Sequence, residues 1–349
     1  MMLYIVTGAT GHLGNTLIKK LTLEGHRVRA LVLNGENTSM LNHLPNVEII
    51  YGNVLDYESL IPLFQNIHGH DEICLIHTAG IISISERKPK LMQRVNIEGT
   101  KNMLRLAQAF NVNHFIYISS VHAIAEPESD TLITETMTFD PALVIGAYAK
   151  TKATATKHVM EVYKAGLSTT IIHPSGIIGP YDFGKSHMTH LFESYFNGKL
   201  NARVNGEYDF VDVRDVVEAI YKASLIKAQG PYIISGHKID LKTLFEEMRT
   251  IAGFKTKPVV FARWFVKIFL PLLEKSAAKR KKTPLFTRYS LYTLTSHCNF
   301  SYAKAHQDLD YTPRDLQTTI KDTALWLIEE KRVKNKKSIR YILKKLKPL

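Results

Sequence analysis

Apolar positions along this chain recur with two different periods, and the alternation between them predicts its elements. Short β-branched or continuous apolar runs at residues 3–7, 26–33, 47–51, 73–77, 114–119 and 169–173 read as buried strands. Between them the period lengthens to that of a helix: from about His12, over 56–67 with Asp56 at the N-cap and Leu60, Leu63, Phe64 and Ile67 on one face, over 90–110, and over 147–164. Continuous apolar strands separated by helices mean a sheet covered on both faces. The expected class is therefore α/β, a doubly wound parallel sheet.

Residues 174–180 (Pro-Ser-Gly-Ile-Ile-Gly-Pro) break that rhythm with two prolines and two glycines. The sheet domain is expected to span 1–173, with strands near 209–213 and 232–234 bringing 209–235 back to it. Helices near 241–251, 261–275, 302–309 and 316–331 assign 174–208 and 236–332 to a smaller, mainly helical lobe. That lobe would cover the sheet's carboxyl edge, where open α/β sheets bind ligands. Residues 333–349 form a basic amphipathic tail.

Chemistry is concentrated first at Thr7-Gly8-Ala9-Thr10-Gly11-His12-Leu13-Gly14, where glycine stands at every third position between strand and helix. One glycine permits positive φ, one lets backbone N–H groups approach a pyrophosphate, and one lets helix and strand pack closely. The helix start adds unpaired donors and a positive dipole end. A dinucleotide fits there, although the spacing differs from Gly-x-Gly-x-x-Gly. A glycine-rich loop without ligand is the plainer reading, and the motif's place directly after the first strand argues against it. Further on, Tyr148 and Lys152 stand four residues apart on one helix face, about 6 Å between Cβ atoms. A fixed ammonium favours the phenolate of a group whose pKa is otherwise about 10. With Ser120 holding a substrate oxygen at the end of the fifth strand, the three make a proton relay for a carbon that gains or loses hydride. Tyr-x-x-x-Lys alone is common in ordinary helices, so its weight rests on its company.

That company resembles the extended short-chain dehydrogenase/reductase family in ordered signatures from residue 7 to residue 216. Thr7 to Gly14 matches its Thr-Gly-x-x-Gly-x-x-Gly motif. Gly52-Asn53-Val54-Leu55-Asp56 resembles its Gly-Asp-x-x-Asp segment beside adenine, with Asn53 in place of the acid. His77-Thr78-Ala79-Gly80, Asn96 to Thr100, Ser119-Ser120, Tyr148 with Lys152, His173 to Pro180, and Phe210 to Val216 follow in order, and 300–313 extends the likeness toward residue 326. The resemblance implies a Rossmann fold in which Tyr148 exchanges the proton, Lys152 lowers its pKa and holds the nicotinamide ribose, Ser120 orients the substrate oxygen, and Asn96 supports a water-linked proton path. It implies cofactor contacts from Gly8, Thr10, Gly11, His12, Leu13, Gly14, Asn34, Asn53, Val54, Ala79, Gly80, Tyr148, Lys152, Pro174 and Ile177. His173 replaces a frequent arginine and reads as packed or hydrogen-bonded rather than as a base. Val32, Leu33 and Asn34 supply neither the acid that would hold the ribose hydroxyls of NAD nor the arginine that would hold the extra phosphate of NADP. The expected cofactor is NAD(P), with a slight lean to NADP.

Within the family, 174–180 and 210–216 look most like bacterial relatives of dihydroflavonol 4-reductase and the 3β-hydroxysteroid dehydrogenases. That likeness implies a secondary alcohol or ketone on a largely apolar small molecule. Phe261, Trp264, Phe265, Ile268 and Leu272 make an apolar stripe suited to such a substrate, or to ordinary core packing. Two other readings stay open. One is a nucleotide-sugar epimerase or dehydratase that retains its NAD, with Lys185, Lys199 and Arg203 for a second pyrophosphate. The other is a non-catalytic NAD(P)H-binding sensor, against which intact Ser120, Tyr148 and Lys152 weigh.

Composition narrows the setting. A chain of 349 residues with 45% apolar content buries a substantial core. Cys74 and Cys298 give neither a disulfide framework nor a metal site, and His187 and His190 lack a third ligand, so no metal is expected. With structure starting at about Leu3 and no run of 18 uncharged apolar residues, neither a signal peptide nor a spanning helix is expected, and the compartment is the cytoplasm. The net charge of +13 is concentrated: from Lys331 onward there are nine Lys or Arg and no acid, leaving +4 for the preceding 330 residues. In the tail Ile339, Ile342, Leu343 and Leu346 share a helical face edged by Lys336, Lys337, Arg340, Lys344, Lys345 and Lys347. That pattern suits peripheral contact with an anionic membrane, with Lys279-Arg280-Lys281-Lys282 adding attraction. A solvated basic end and non-specific RNA contact are the alternatives, nucleic acid being the less expected partner, and a homodimer is left open.

Overall fold

The structure, a computed structural model, describes residues 2–67, 72–82, 89–128, 131–184, 186–262, 264, 266, 268, 270 and 288–346. Expectations for Lys185, Phe265, Leu272, the 279–282 run and Lys347 lie outside the described residues. In chain order the strands are β1 (Met2–Thr7), β2 (Arg27–Val32), β3 (Val47–Tyr51), β4 (Glu72–His77), β5 (His114–Ile118), β6 (Thr169–Pro174), β7 (Gly176–Ile178), β8 (Ala202–Val204), β9 (Glu207–Asp212), β10 (Gly230–Ile234), β11 (His237–Asp240) and β12 (Val259–Phe261).

Seven of these form one parallel sheet in the order β10-β6-β5-β4-β1-β2-β3. Successive side chains of a strand point to opposite faces, and here both faces are apolar. Tyr4 and Val6 enter one core with Leu17, Ile18, Val216 and Ile220, while Ile5 enters the other with Leu104, Ala153 and Val159. The doubly wound class read from the sequence is the class observed. Strand order reverses between β1 and β4, which opens a crevice at their carboxyl ends, Thr7 and His77.

Several expected elements differ in detail. The helix over 56–67 is one α turn, Tyr57–Leu60, followed by a 3-10 turn, Ile61–Phe64, because Pro62 has no N–H to continue the ladder. Asp56 occupies the N-cap position without a side-chain cap bond. The helix over 90–110 is interrupted by a π-helical turn at Arg94–Gly99. There a Cβ on Gly99 would come 2.8 Å from Val54 Cγ2, so the widened turn lets the two segments touch. The return of 209–235 to the main sheet holds for only half of that segment. β10 joins the main sheet, whereas β9 pairs with β7 and β11 in a separate three-stranded sheet. A third pair, β12 with β8, belongs to the lobe.

The lobe has its own core, including Phe192, Tyr195, Phe196, Leu244, Phe245, Met248, Ile320 and Leu327. The expected stripe divides within it. Trp264 and Ile268 are exposed, Phe261 lies on a strand, and the inward positions are Val266 and Leu270. The tail also behaves differently from expectation. Helix Lys336–Leu346 buries Ile342 completely in the lobe core, with Ile339 packed beside it, and a Cβ on Gly253 would collide with the Tyr341 ring. Its apolar face is therefore occupied by the protein rather than left for a bilayer. Lys336, Lys337, Arg340, Lys344 and Lys345 remain exposed. Among the described residues no helix is long and apolar enough to cross a membrane.

Candidate functional site

The glycine-rich turn closes the crevice from the β1 side. Gly8 leaves the strand at φ +68°, and a Cβ there would come 2.7 Å from Thr78 Oγ1 and 2.8 Å from Ala79 N. A Cβ on Gly14 would run into the carbonyl oxygen of Gly8. Only glycine allows so close an approach of turn, helix and neighbouring strand. Gly11 supplies no side-chain cap to helix His12–Leu23, which leaves that helix's first-turn amides for an anion. Across the crevice Ala79 N donates to Thr7 Oγ1 at 3.2 Å, which fixes the β4 end against the turn. These features fit a dinucleotide diphosphate: the cradle is one that added side chains would fill.

Other predicted contacts are distributed around this cradle. His12 turns its ring away, with Nε2 2.9 Å from the Pro180 carbonyl, while Asn15 Nδ2 donates to the Tyr181 carbonyl at 3.2 Å. Burial lowers the His12 pKa, so it ties the 180–182 loop to the helix as a neutral group. Leu13 is buried and Asn34 is exposed just beyond β2. Asn53 shapes its own turn, its Oδ1 accepting from Leu55 N at 2.9 Å. Val54 is buried, Pro174 ends β6, and Ile177 packs against the core on β7. A Cβ on Gly80 would come 3.3 Å from Asn96 Oδ1 and 3.4 Å from Lys152 Nζ, so Gly80 brings the cradle up to the reactive side chains.

Sequence reasoning missed Glu36. Thr10 Oγ1 donates to Glu36 Oε2 at 2.6 Å, which seats a carboxylate beside the glycine-rich turn. Attention to the last residues of the strand passed over an acid that arrives four positions later, after a turn in which Glu36 N donates to the Leu33 carbonyl at 3.1 Å.

Ser120, Tyr148 and Lys152 converge behind this cradle, all buried. The nearby Ser120 hydroxyl favours the phenolate of Tyr148, and burial outweighs it, pushing the phenol up to about 12. Lys152 Nζ donates to the Ile118 carbonyl at 2.7 Å and lies 5.1 Å from the Tyr117 ring centroid. Burial pushes it down to about 7. The sequence led us to expect the ammonium to acidify the phenol. Here Lys152 is aimed at the Ile118 carbonyl, desolvation dominates both groups, and the phenol holds its proton at neutral pH. Asn96 is occupied as well: Oδ1 accepts from Ile81 N at 2.7 Å, and Nδ2 donates to the Ile81 carbonyl at 3.1 Å and to Thr151 Oγ1 at 3.0 Å. Its side chain thus clamps the turn after β4 to the Tyr148 helix. His173 is fully buried, with Nδ1 donating to the Ser120 carbonyl at 3.0 Å, and burial pushes it down to about 4. It is a hydrogen-bonded neutral residue, as its sequence context implied.

A second missed group faces the phenol from the lobe side. The His122 ring meets Tyr148 edge-on, centroids 6.3 Å apart, and lies 5.8 Å from Tyr208 and 5.7 Å from Tyr289. Tyr208 and Tyr289 come from distant segments with no motif of their own, so no local signal marked them.

Fold and site together define a class, the NAD(P)-dependent oxidoreductases of the extended short-chain dehydrogenase/reductase type. The chain belongs to the NAD dependent epimerase/dehydratase family, whose sequence pattern matches residues 4–233. It is 27% identical over 333 residues to sterol demethylase protein B of Methylococcus capsulatus, covering 94% of this chain and 99% of that protein. It is 25% identical over 338 residues to the decarboxylating sterol-4-alpha-carboxylate 3-dehydrogenase erg26 of Schizosaccharomyces pombe, covering 93% and 97%. The crystal structure of gox2253 superposes with a TM-score of 0.80 at 28% identity, over 96% of this chain and 100% of that one.

Proposed function

We propose that this enzyme interconverts a secondary alcohol and a ketone on a rigid, largely apolar ring molecule of sterol type, with NAD preferred over NADP. The observation that carries the reading is the convergence of buried Ser120, Tyr148 and Lys152 beside the dinucleotide cradle, where a Cβ on Gly80 would come 3.4 Å from Lys152 Nζ. When bound, the nicotinamide supplies or accepts the hydride. Ser120 and Tyr148 hold the substrate oxygen between their hydroxyls, and Tyr148, protonated at neutral pH, gives its proton as that oxygen gains charge; oxidation runs the same path backwards. Lys152 stands ready to hold the ribose. The neutral rings of Tyr208 and Tyr289, gathered around His122, give an apolar face to the substrate, in keeping with the sterol names of both relatives. Glu36, held by Thr10, favours ribose hydroxyls and repels a ribose phosphate, which replaces the lean toward NADP. The exposed cations of helix Lys336–Leu346 support peripheral contact with an anionic membrane by charge alone.

One observation favours the epimerase reading: a cavity of about 490 Å³ lined by Arg203, Lys238 and Lys242, together with Glu207 and Asp240, offers cations for a second anion. Lys199 lies exposed. The test is to purify the protein, identify any retained nucleotide, and follow NADH and NADPH absorbance with 3-oxo and 3β-hydroxy steroids and with small cyclic ketones. Net turnover with a ring ketone or alcohol supports the oxidoreductase; retained NAD without net turnover on any of them supports the epimerase.

A further inference from the structure

The wall of rings beside the phenol is built, not incidental. Two glycines outside the dinucleotide cradle make room for it: a Cβ on Gly176 would come 2.5 Å from Tyr208 Cε1, and one on Gly146 would collide with the Tyr289 ring. His122 links this wall to the Ser120 hydroxyl and to the ring of Tyr148. Its backbone N–H donates to Ser120 Oγ at 3.2 Å, its ring abuts Tyr148 at 77° between planes, and its Nε2 lies 2.7 Å from the Tyr208 hydroxyl. Burial pushes His122 down to about 4 and the Tyr208 hydroxyl well above its ordinary range, so the pair is uncharged at neutral pH. An imidazole stacked on Tyr208 at 21° and bonded to it has little freedom to swing away from Tyr148.

We infer that His122, clamped by Tyr208, is a positioning residue that keeps Ser120 and Tyr148 at the spacing a ring-bound oxygen requires between them. The inference rests on the reading of Ser120 and Tyr148 as the pair that holds that oxygen. Substrate affinity comes from apolar ring contact, so loosening the clamp lowers kcat and leaves KM nearly alone; small misplacements of reacting groups cost about tenfold to a hundredfold in rate. Three single variants of the full chain and one double variant test this with NAD and a 3β-hydroxysteroid. Tyr208→Phe keeps the ring and removes the hydroxyl, His122→Leu removes the imidazole, and His122→Gln places an amide where Nε2 meets Tyr208. Tyr208→Phe and His122→Leu are expected to lose about tenfold or more in kcat with both KM values little changed. The double variant should be no slower than His122→Leu alone, and His122→Gln should recover most of the rate. Wild-type kcat in Tyr208→Phe, or single losses that multiply in the double variant, overturns the inference. If His122→Leu no longer binds NAD, the volume-conserving Tyr208→Phe and His122→Gln decide alone. Absence of any NAD(P)-linked turnover of ring alcohols or ketones by the wild-type protein sinks the functional reading instead.

Discussion

Replacing Lys152 with methionine tests the electrostatics of the site directly. In the folded protein burial pushes Lys152 down to about 7, whereas in the unfolded chain a lysine titrates near 10.4. Between those values the unfolded state binds more protons, so the contribution of Lys152 to stability is full above about pH 10, falls as pH drops, and is lowest below about 7. A gap of about 3 units at 1.36 kcal/mol each makes that pH-dependent penalty about 4 kcal/mol. The bond from Nζ to the Ile118 carbonyl, which methionine cannot make, returns about 1 kcal/mol. Lys152→Met is therefore expected to be about 3 kcal/mol more stable than wild type at pH 6 and within about 0.5 kcal/mol of it at pH 10. Urea unfolding of both proteins without added nucleotide, at pH 6, 8 and 10 with matched m values, measures the difference. A difference that stays flat across that range would refute the reasoning, because it would mean that folding leaves the lysine's proton affinity unchanged.

Further outcomes follow from other parts of the site. Tyr148→Phe should lower kcat by roughly a hundredfold or more while NADH binding, followed by fluorescence titration, is retained; near-wild-type turnover would remove Tyr148 from the proton transfer. Glu36→Gln should raise kcat/KM for NADP relative to NAD by about tenfold, equivalent to about 1.4 kcal/mol, and an unchanged ratio would show that the Thr10-held carboxylate does not select the cofactor. Reversing Lys336, Lys337, Arg340, Lys344 and Lys345 to glutamate should abolish flotation with phosphatidylglycerol liposomes and leave unfolding nearly unchanged, since these side chains point outward while Ile342 stays packed. Equal flotation of both proteins would end the membrane proposal.

Local information was enough for the parallel sheet and for the glycine-rich turn. A strand buried on both faces must be apolar throughout, and a turn where Gly8 adopts φ +68° and Gly14 abuts the Gly8 carbonyl admits no other residue, so both leave marks in consecutive positions. Tyr148 and Lys152 were legible for the same reason, being four residues apart on one helix. What the order of residues did not carry was direction and partnership across distance. Whether Lys152 acidifies Tyr148 depends on where Nζ points, and it points to Ile118. Whether the apolar face of the tail meets lipid or protein depends on an open place in the lobe core, which Ile342 fills. Glu36, His122, Tyr208 and Tyr289 acquire meaning only once β2, β5, β9 and the segment near 289 are brought to one crevice. Periodicity records which face of an element is buried, whereas desolvation and hydrogen-bond geometry belong to the assembled site.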